Sequence, residues 1–169
     1  MSKTEWDEEF GCSYTPREML DMGIFEGTYI RAIKKTKWIP DEILKHPKYL
    51  KKGEPPDVNI NYYGVKSRLS LKEWQKRGWI MSDVNGWFEW FCNYFYGRRL
   101  GEEDRTQIKR WKSFVARHSA QVVKNCKKGD KNCRPAQRQG LLQWAWNSDT
   151  PFSPEQIKKN VERIKKLSK

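Results

Sequence analysis

The strongest hydrophobic pattern in the chain falls at positions 87–95, where Trp87, Phe88, Trp90, Phe91, Tyr94 and Phe95 cover most of the circumference of a helix. A helix that is apolar nearly all round lies inside a protein. The spacing therefore predicts a central buried helix, capped by Asp83 or Asn85 and stopped by Gly97. Arg98 and Arg99 emerge at its end, where the helix dipole favours cations. Downstream, Ile108, Trp111, Val115, His118 and Val122 recur at helical spacing and form one stripe, while Arg105, Lys109, Lys112 and Lys124 fall elsewhere. That pattern predicts a long helix with one packing face and one basic face, opened by Glu102, Glu103 and Asp104 at its positive end.

Local signals punctuate the rest. The acidic first ten residues read as a loosely held arm, with Trp6 and Phe10 the residues able to pin it. Thr15-Pro16-Arg17-Glu18 sets an N-cap, a first-turn proline and an early acid in order, which predicts a short helix through Met22 ended by Gly23. Residues 24–33 suit a strand or helical turns equally. Residues 38–57 hold Pro40, Pro47, Pro55 and Pro56 among lysines and read as irregular, with one short helix at 41–45. Residues 59–65 are too short to assign, and the capping box Ser70-Leu71-Lys72-Glu73 predicts a helix over 71–77. After a polar loop at 126–133, Pro135 opens a helix carrying Leu141, Leu142, Trp144 and Ala145. Ser153-Pro154-Glu155-Gln156 then starts a last helix that buries Ile157, Val161 and Ile164 and shows Lys158, Lys159, Arg163, Lys165 and Lys166. No repeat, low-complexity tract or β-hairpin signal appears. The expectation is a mainly α fold: one compact multi-helix domain around the aromatic helix, with irregular Pro/Lys-rich segments. An acidic arm spans 1–14, a helical domain 15–150 and a basic C-terminal helix 151–169.

Composition sharpens this picture. Only 37% of the 169 residues are hydrophobic, but 9 Trp, 7 Tyr and 7 Phe supply large rings, each able to bury about 150–250 Å². The net charge is +13, a field that draws polyanions. It is unevenly placed: residues 98–138 hold thirteen Lys or Arg against four acids, whereas residues 1–22 are net acidic. The start lacks the basic-then-apolar pattern of a secretory signal, and no window is apolar enough for a membrane span. A reduced, intracellular setting in nucleus or cytoplasm follows, or a virion if the chain is viral.

The basic region is the leading candidate site. Arg98, Arg99, Arg105, Lys109, Arg110, Lys112, Arg117, Lys124, Lys127, Lys128, Lys131, Arg134 and Arg138 are placed to meet phosphates, which would make binding salt-dependent and largely blind to base sequence. Nucleic acid, DNA first, is the expected partner of a non-enzymatic protein. The alternatives are an acidic protein surface or capsid neighbours, as for an internal or minor capsid component, and an enzyme acting on nucleic acid. For that last reading the candidate catalytic groups are Glu89, a carboxylate inside the aromatic helix that would pair with an arginine such as Arg110 or shift its pKa by burial, and His118. Glu102, Glu103 and Asp104 are explained by helix capping. Cys126 and Cys133 bracket a basic loop and read as free thiols or a loop-closing disulfide. A zinc site would need ligands that the two histidines do not readily supply, so no metal and no cofactor are expected.

The ordered segments TPREMLDMGIFEGTY, NYYGV, LKEWQKRGWI, GWFEWFCNYFYGRR, DRTQIKRWKSFVARHSAQV and CRPAQRQGLLQWAW resemble a family found in algae, fungi, some bacteria and large DNA viruses. The resemblance covers residues 15–146. No activity is attached to that family, so it implies a compact domain in an intracellular or viral setting and assigns no site residue.

Overall fold

The computed structural model describes residues 5–49, 55–66, 83 and 86–168, and every regular element among them is helical. Six α-helices follow in order: α1 Pro16–Met22, α2 Asp41–Leu44, α3 Trp87–Phe95, α4 Glu102–Asn125, α5 Pro135–Gln143 and α6 Pro154–Leu167. Short 3₁₀ turns fill residues 25–32, Pro47–Tyr49 and Val58–Ile60, so the 24–33 segment takes the helical alternative. The helix predicted at 71–77 lies outside the described residues.

The capping signals act as the sequence predicts. Thr15 Oγ1 accepts the Glu18 N–H at 3.1 Å while Glu18 Oε1 accepts the Thr15 N–H at 2.9 Å, a complete capping box on α1. Ser153 caps α6 through the Gln156 N–H at 3.2 Å, but only half of the predicted box forms, because the Gln156 side chain donates to Asn160 Oδ1 at 3.0 Å instead. For α3 the expectation needs correcting. Its N-cap is Gly86, with no side chain capping it, and Asp83 spends its carboxylate on Arg98 instead. At the other end Gly97 has φ 115°. The Arg98 N–H reaches the Asn93 carbonyl at 3.0 Å and the Gly97 N–H the Tyr94 carbonyl at 3.0 Å, the paired bonds of a Schellman stop.

All nine residues of α3 are buried, which makes it the centre of the core. The arm is not loosely held. Phe10 is fully buried, and its ring centroid lies 5.0–6.0 Å from those of Trp87, Trp90, Phe91, Tyr94 and Trp111. Trp6 stacks on Phe10 at 5.3 Å, and the Asp7 N–H donates to the Tyr94 hydroxyl at 2.9 Å. The acids of the arm face water while its two rings complete the aromatic core; the charge count alone hides this. α6 then locks across the arm. A Cβ on Gly11 would stand 2.6 Å from the Ile157 carbonyl oxygen, and Asn160 Nδ2 donates to the Gly11 carbonyl at 2.8 Å.

α4 buries Ile108, Trp111, Val115 and Val122 as its pattern predicts, and adds Asp104, Gln107 and Ser119. Asp104 does more than favour the helix dipole. Its Oδ1 accepts the Trp90 indole N–H at 2.8 Å and its Oδ2 the Leu100 N–H at 2.6 Å, tying the start of α4 to α3. α5 buries Leu141 and Leu142 but stops at Gln143, so Trp144 and Ala145 lie just past its end. There the Trp111 indole donates to the Trp144 carbonyl at 2.8 Å.

Candidate nucleic-acid interface

The cations of residues 98–138 divide into groups with different chemistry. Arg98 and Arg99 serve the scaffold. Arg98 Nη1 meets Asp83 at 2.9 Å. The Arg99 guanidinium lies 3.7 Å over the Tyr94 ring and donates to the carbonyls of Tyr94 at 2.7 Å and Glu5 at 2.9 Å, closing the end of α3 onto the arm. Arg105 pairs with Glu102, and Lys112 with Glu9 at 3.0 Å. Arg110 donates to Gln107 Oε1 at 2.8 Å beneath the Trp144 ring, and burial pushes its pKa down to about 10.

Arg138 departs furthest from expectation. At 1% exposure it reaches no solvent phosphate, so it leaves the set of contact residues. It lies on the same face of α5 as Leu141 and Leu142, three and four positions on, and that face points inward. Its guanidinium donates to Asp149 Oδ1 at 2.8 Å, Ser148 Oγ at 3.0 Å, the Cys133 carbonyl at 2.9 Å and the Lys127 carbonyl at 3.2 Å. Two of these acceptors belong to the basic loop at 126–133. Asp149 also accepts the Gly129 N–H at 2.9 Å from the same loop. Burial acts to raise the pKa of Asp149, but the hydrogen bonds from Arg138 and Gly129 outweigh it and hold the carboxyl below its ordinary value.

Cys126 and Cys133 close the loop with a disulfide, their Cα atoms 5.8 Å apart. The loop-closing alternative is therefore the one realised, and the expectation of a wholly reduced chain is corrected. Cys12 and Cys92 are free and buried. Among the described residues no group of His, Cys, Asp and Glu could hold a metal.

Lys109, Arg117, Lys124, Lys127, Lys128, Lys131 and Arg134 remain at the surface, all exposed and without an ion pair among the described residues. At about 100° per residue, Lys109, Arg117 and Lys124 fall within an arc of about 80° opposite the buried stripe of α4 and run about 22 Å along the helix. Lys127, Lys128 and Lys131 continue from its C-terminal end on the clamped loop, and Arg134 follows at the start of α5. The result is one cationic stripe that ends on the tethered loop, where Asp130 is exposed among the lysines. A shallow depression beside it, lined by Val122, Val123, Cys126, Lys128, Ser148 and Asp149, has a volume of about 220 Å³. That is below the roughly 300 Å³ at which small-molecule pockets begin.

The two candidate catalytic groups are placed differently. Glu89 is 5% exposed, sealed beside Tyr29, whose hydroxyl takes the Glu89 N–H at 3.2 Å. It does not line the basic surface. His118 sits at the edge of the α4 stripe, half-buried rather than in it, with its ring 4.2 Å from that of Phe114 and Nδ1 2.8 Å from Gln137 Nε2. Burial first, and the Arg117 charge second, lower its pKa.

The aromatic turn beside the loop carries no site signal in the sequence. Tyr62 is partly exposed, and Lys131 Nζ lies 3.8 Å from its ring centroid. Residues 59–65 are too short a stretch to assign from sequence, and nothing in their spacing links them to a loop some seventy residues on. Among the described residues no helix is long and apolar enough to cross a membrane. Comparison with family models, curated proteins and solved structures yields no match.

Proposed function

We propose that this protein is a non-enzymatic nucleic-acid-binding protein that holds the phosphate backbone on the stripe formed by Lys109, Arg117 and Lys124 and on the loop that carries Lys127, Lys128 and Lys131. The observation carrying this reading is the internal clamp. Arg138, Asp149 and the disulfide hold a loop that exposes three lysines against one acid, Asp130, so its backbone needs little ordering on binding. A face that served solubility alone would need no such clamp. The sealed position of Glu89 and the shallow relief of the basic surface favour binding over catalysis.

Fluorescence anisotropy of labelled DNA and RNA titrated with the protein tests this. The expected result is binding at about 50 mM salt that falls by orders of magnitude by about 200 mM, as counterion release requires. Absence of binding to every duplex and single strand at the lower salt overturns the proposal.

A further inference from the structure

The turn at residues 61–65 and the basic loop form one composite surface. The Tyr62 N–H donates to the Gly23 carbonyl at 3.0 Å and the Tyr63 N–H to Gln139 Oε1 at 3.0 Å. Asn61 Oδ1 accepts the Glu26 N–H at 2.7 Å, and Asn61 Nδ2 donates to the Val65 carbonyl at 2.8 Å. The turn is thus held from both sides. The Tyr63 hydroxyl lies 3.4 Å from Ser148 Oγ, the same atom that receives Arg138 Nη1 at 3.0 Å. Ser148 therefore joins the support of the turn to the support of the loop. On this base the Tyr62 ring stands edge to face with Tyr63, 4.8 Å between centroids, and is the one aromatic among the large hydrophobic residues most exposed in the described structure.

An exposed ring beside lysines on a tethered loop matches single-stranded nucleic acid, whose bases present a free π-face next to each phosphate; in a duplex those faces are stacked away. We infer that the ligand of the basic surface is a single strand, with a base stacking on Tyr62 and Lys131 moving from the ring to the flanking phosphate. This rests on the proposed nucleic-acid function and names its substrate class. Lys131 is suited to the exchange, because its cation covers the ring in the free protein and its flexible stem lets it leave.

The test compares a labelled single-stranded oligonucleotide with the same sequence as a duplex, using the intact oxidised protein and the variants Tyr62→Ala and Tyr62→Phe. The expected result is tighter binding to the single strand, a loss of roughly tenfold in Tyr62→Ala as for one stacked base, and retained affinity in Tyr62→Phe. Duplex binding stays within about twofold in all three, since phosphate contacts alone hold it. Equal loss on both ligands, no loss on either, or a duplex preference in the wild type overturns the inference while leaving phosphate binding intact. Failure of the wild type to bind either ligand removes the underlying function instead. Circular dichroism confirms folding; should Tyr62→Ala unfold, Tyr62→Leu replaces it, because the turn is held by backbone bonds that any side chain permits.

Discussion

Replacing Arg138 separates a phosphate contact from a structural clamp. In Arg138→Ala the Asp149 carboxylate loses its cation, and the Lys127 and Cys133 carbonyls lose a charged donor, in a place where Arg138 itself is 1% exposed and Asp149 21%. Breaking a buried pair costs about 3–5 kcal/mol. The partial exposure of Asp149 moves the expectation to the low end, about 3 kcal/mol. For a chain of this length that is a fall in Tm of about 6–12 °C. Because the clamp sets the loop, nucleic-acid affinity at low salt falls as well, although Arg138 touches no ligand. Arg138→Lys keeps the charge but not the planar fork, and recovers only part of the stability. Thermal denaturation monitored by circular dichroism, paired with anisotropy on folded protein, checks both effects. A Tm unchanged within about 2 °C together with a large loss of affinity would refute this reasoning, since it would make Arg138 a direct contact.

Three further outcomes follow from the same geometry. Phe10→Ala removes the ring that six aromatic side chains surround and costs about 3–5 kcal/mol by urea denaturation; a loss below about 1 kcal/mol would return the arm to the status of a loose appendage. Reducing the Cys126–Cys133 bond removes the closure of a short loop, worth about 2.5 kcal/mol in the chain-entropy account, and weakens binding at low salt, which titration with and without a reductant reads directly. Asp149 has its pKa lowered in the fold. Its contribution is therefore complete above the unfolded value of about 4 and is lost as pH falls through the lower folded value. Asp149→Asn should flatten the stability profile in that acidic window and nowhere above it.

The helix boundaries set by local chemistry were legible in the sequence, because a cap or a first-turn proline acts on backbone groups a few residues away. Thr15 with Glu18 and Ser153 with Gln156 show this. The aromatic helix was legible too, since six rings in nine positions have nowhere to go but inside. What could not be read depends on which distant segments meet. Phe10 is legible as a ring able to pin the acidic arm, but its partners at 87–111 are joined to it only by the fold. Asp104 looked like a dipole acid until Trp90 was found on it. Arg138 did carry a signal, the helical spacing to Leu141 and Leu142. In a run of thirteen cations it passed for one more. Its acceptors, two loop carbonyls and the Ser148–Asp149 pair, follow no local rule.

The proposed function rests on the lysines of the clamped loop holding phosphates. The most direct measurement is the dependence of log affinity on log salt for the wild type and for the combined variant Lys127→Ala, Lys128→Ala, Lys131→Ala. These side chains are exposed, so the fold should survive their removal. The expected slope in the variant is shallower by about 2–3, close to one for each phosphate that it no longer neutralises. An unchanged slope in a folded variant would contradict it.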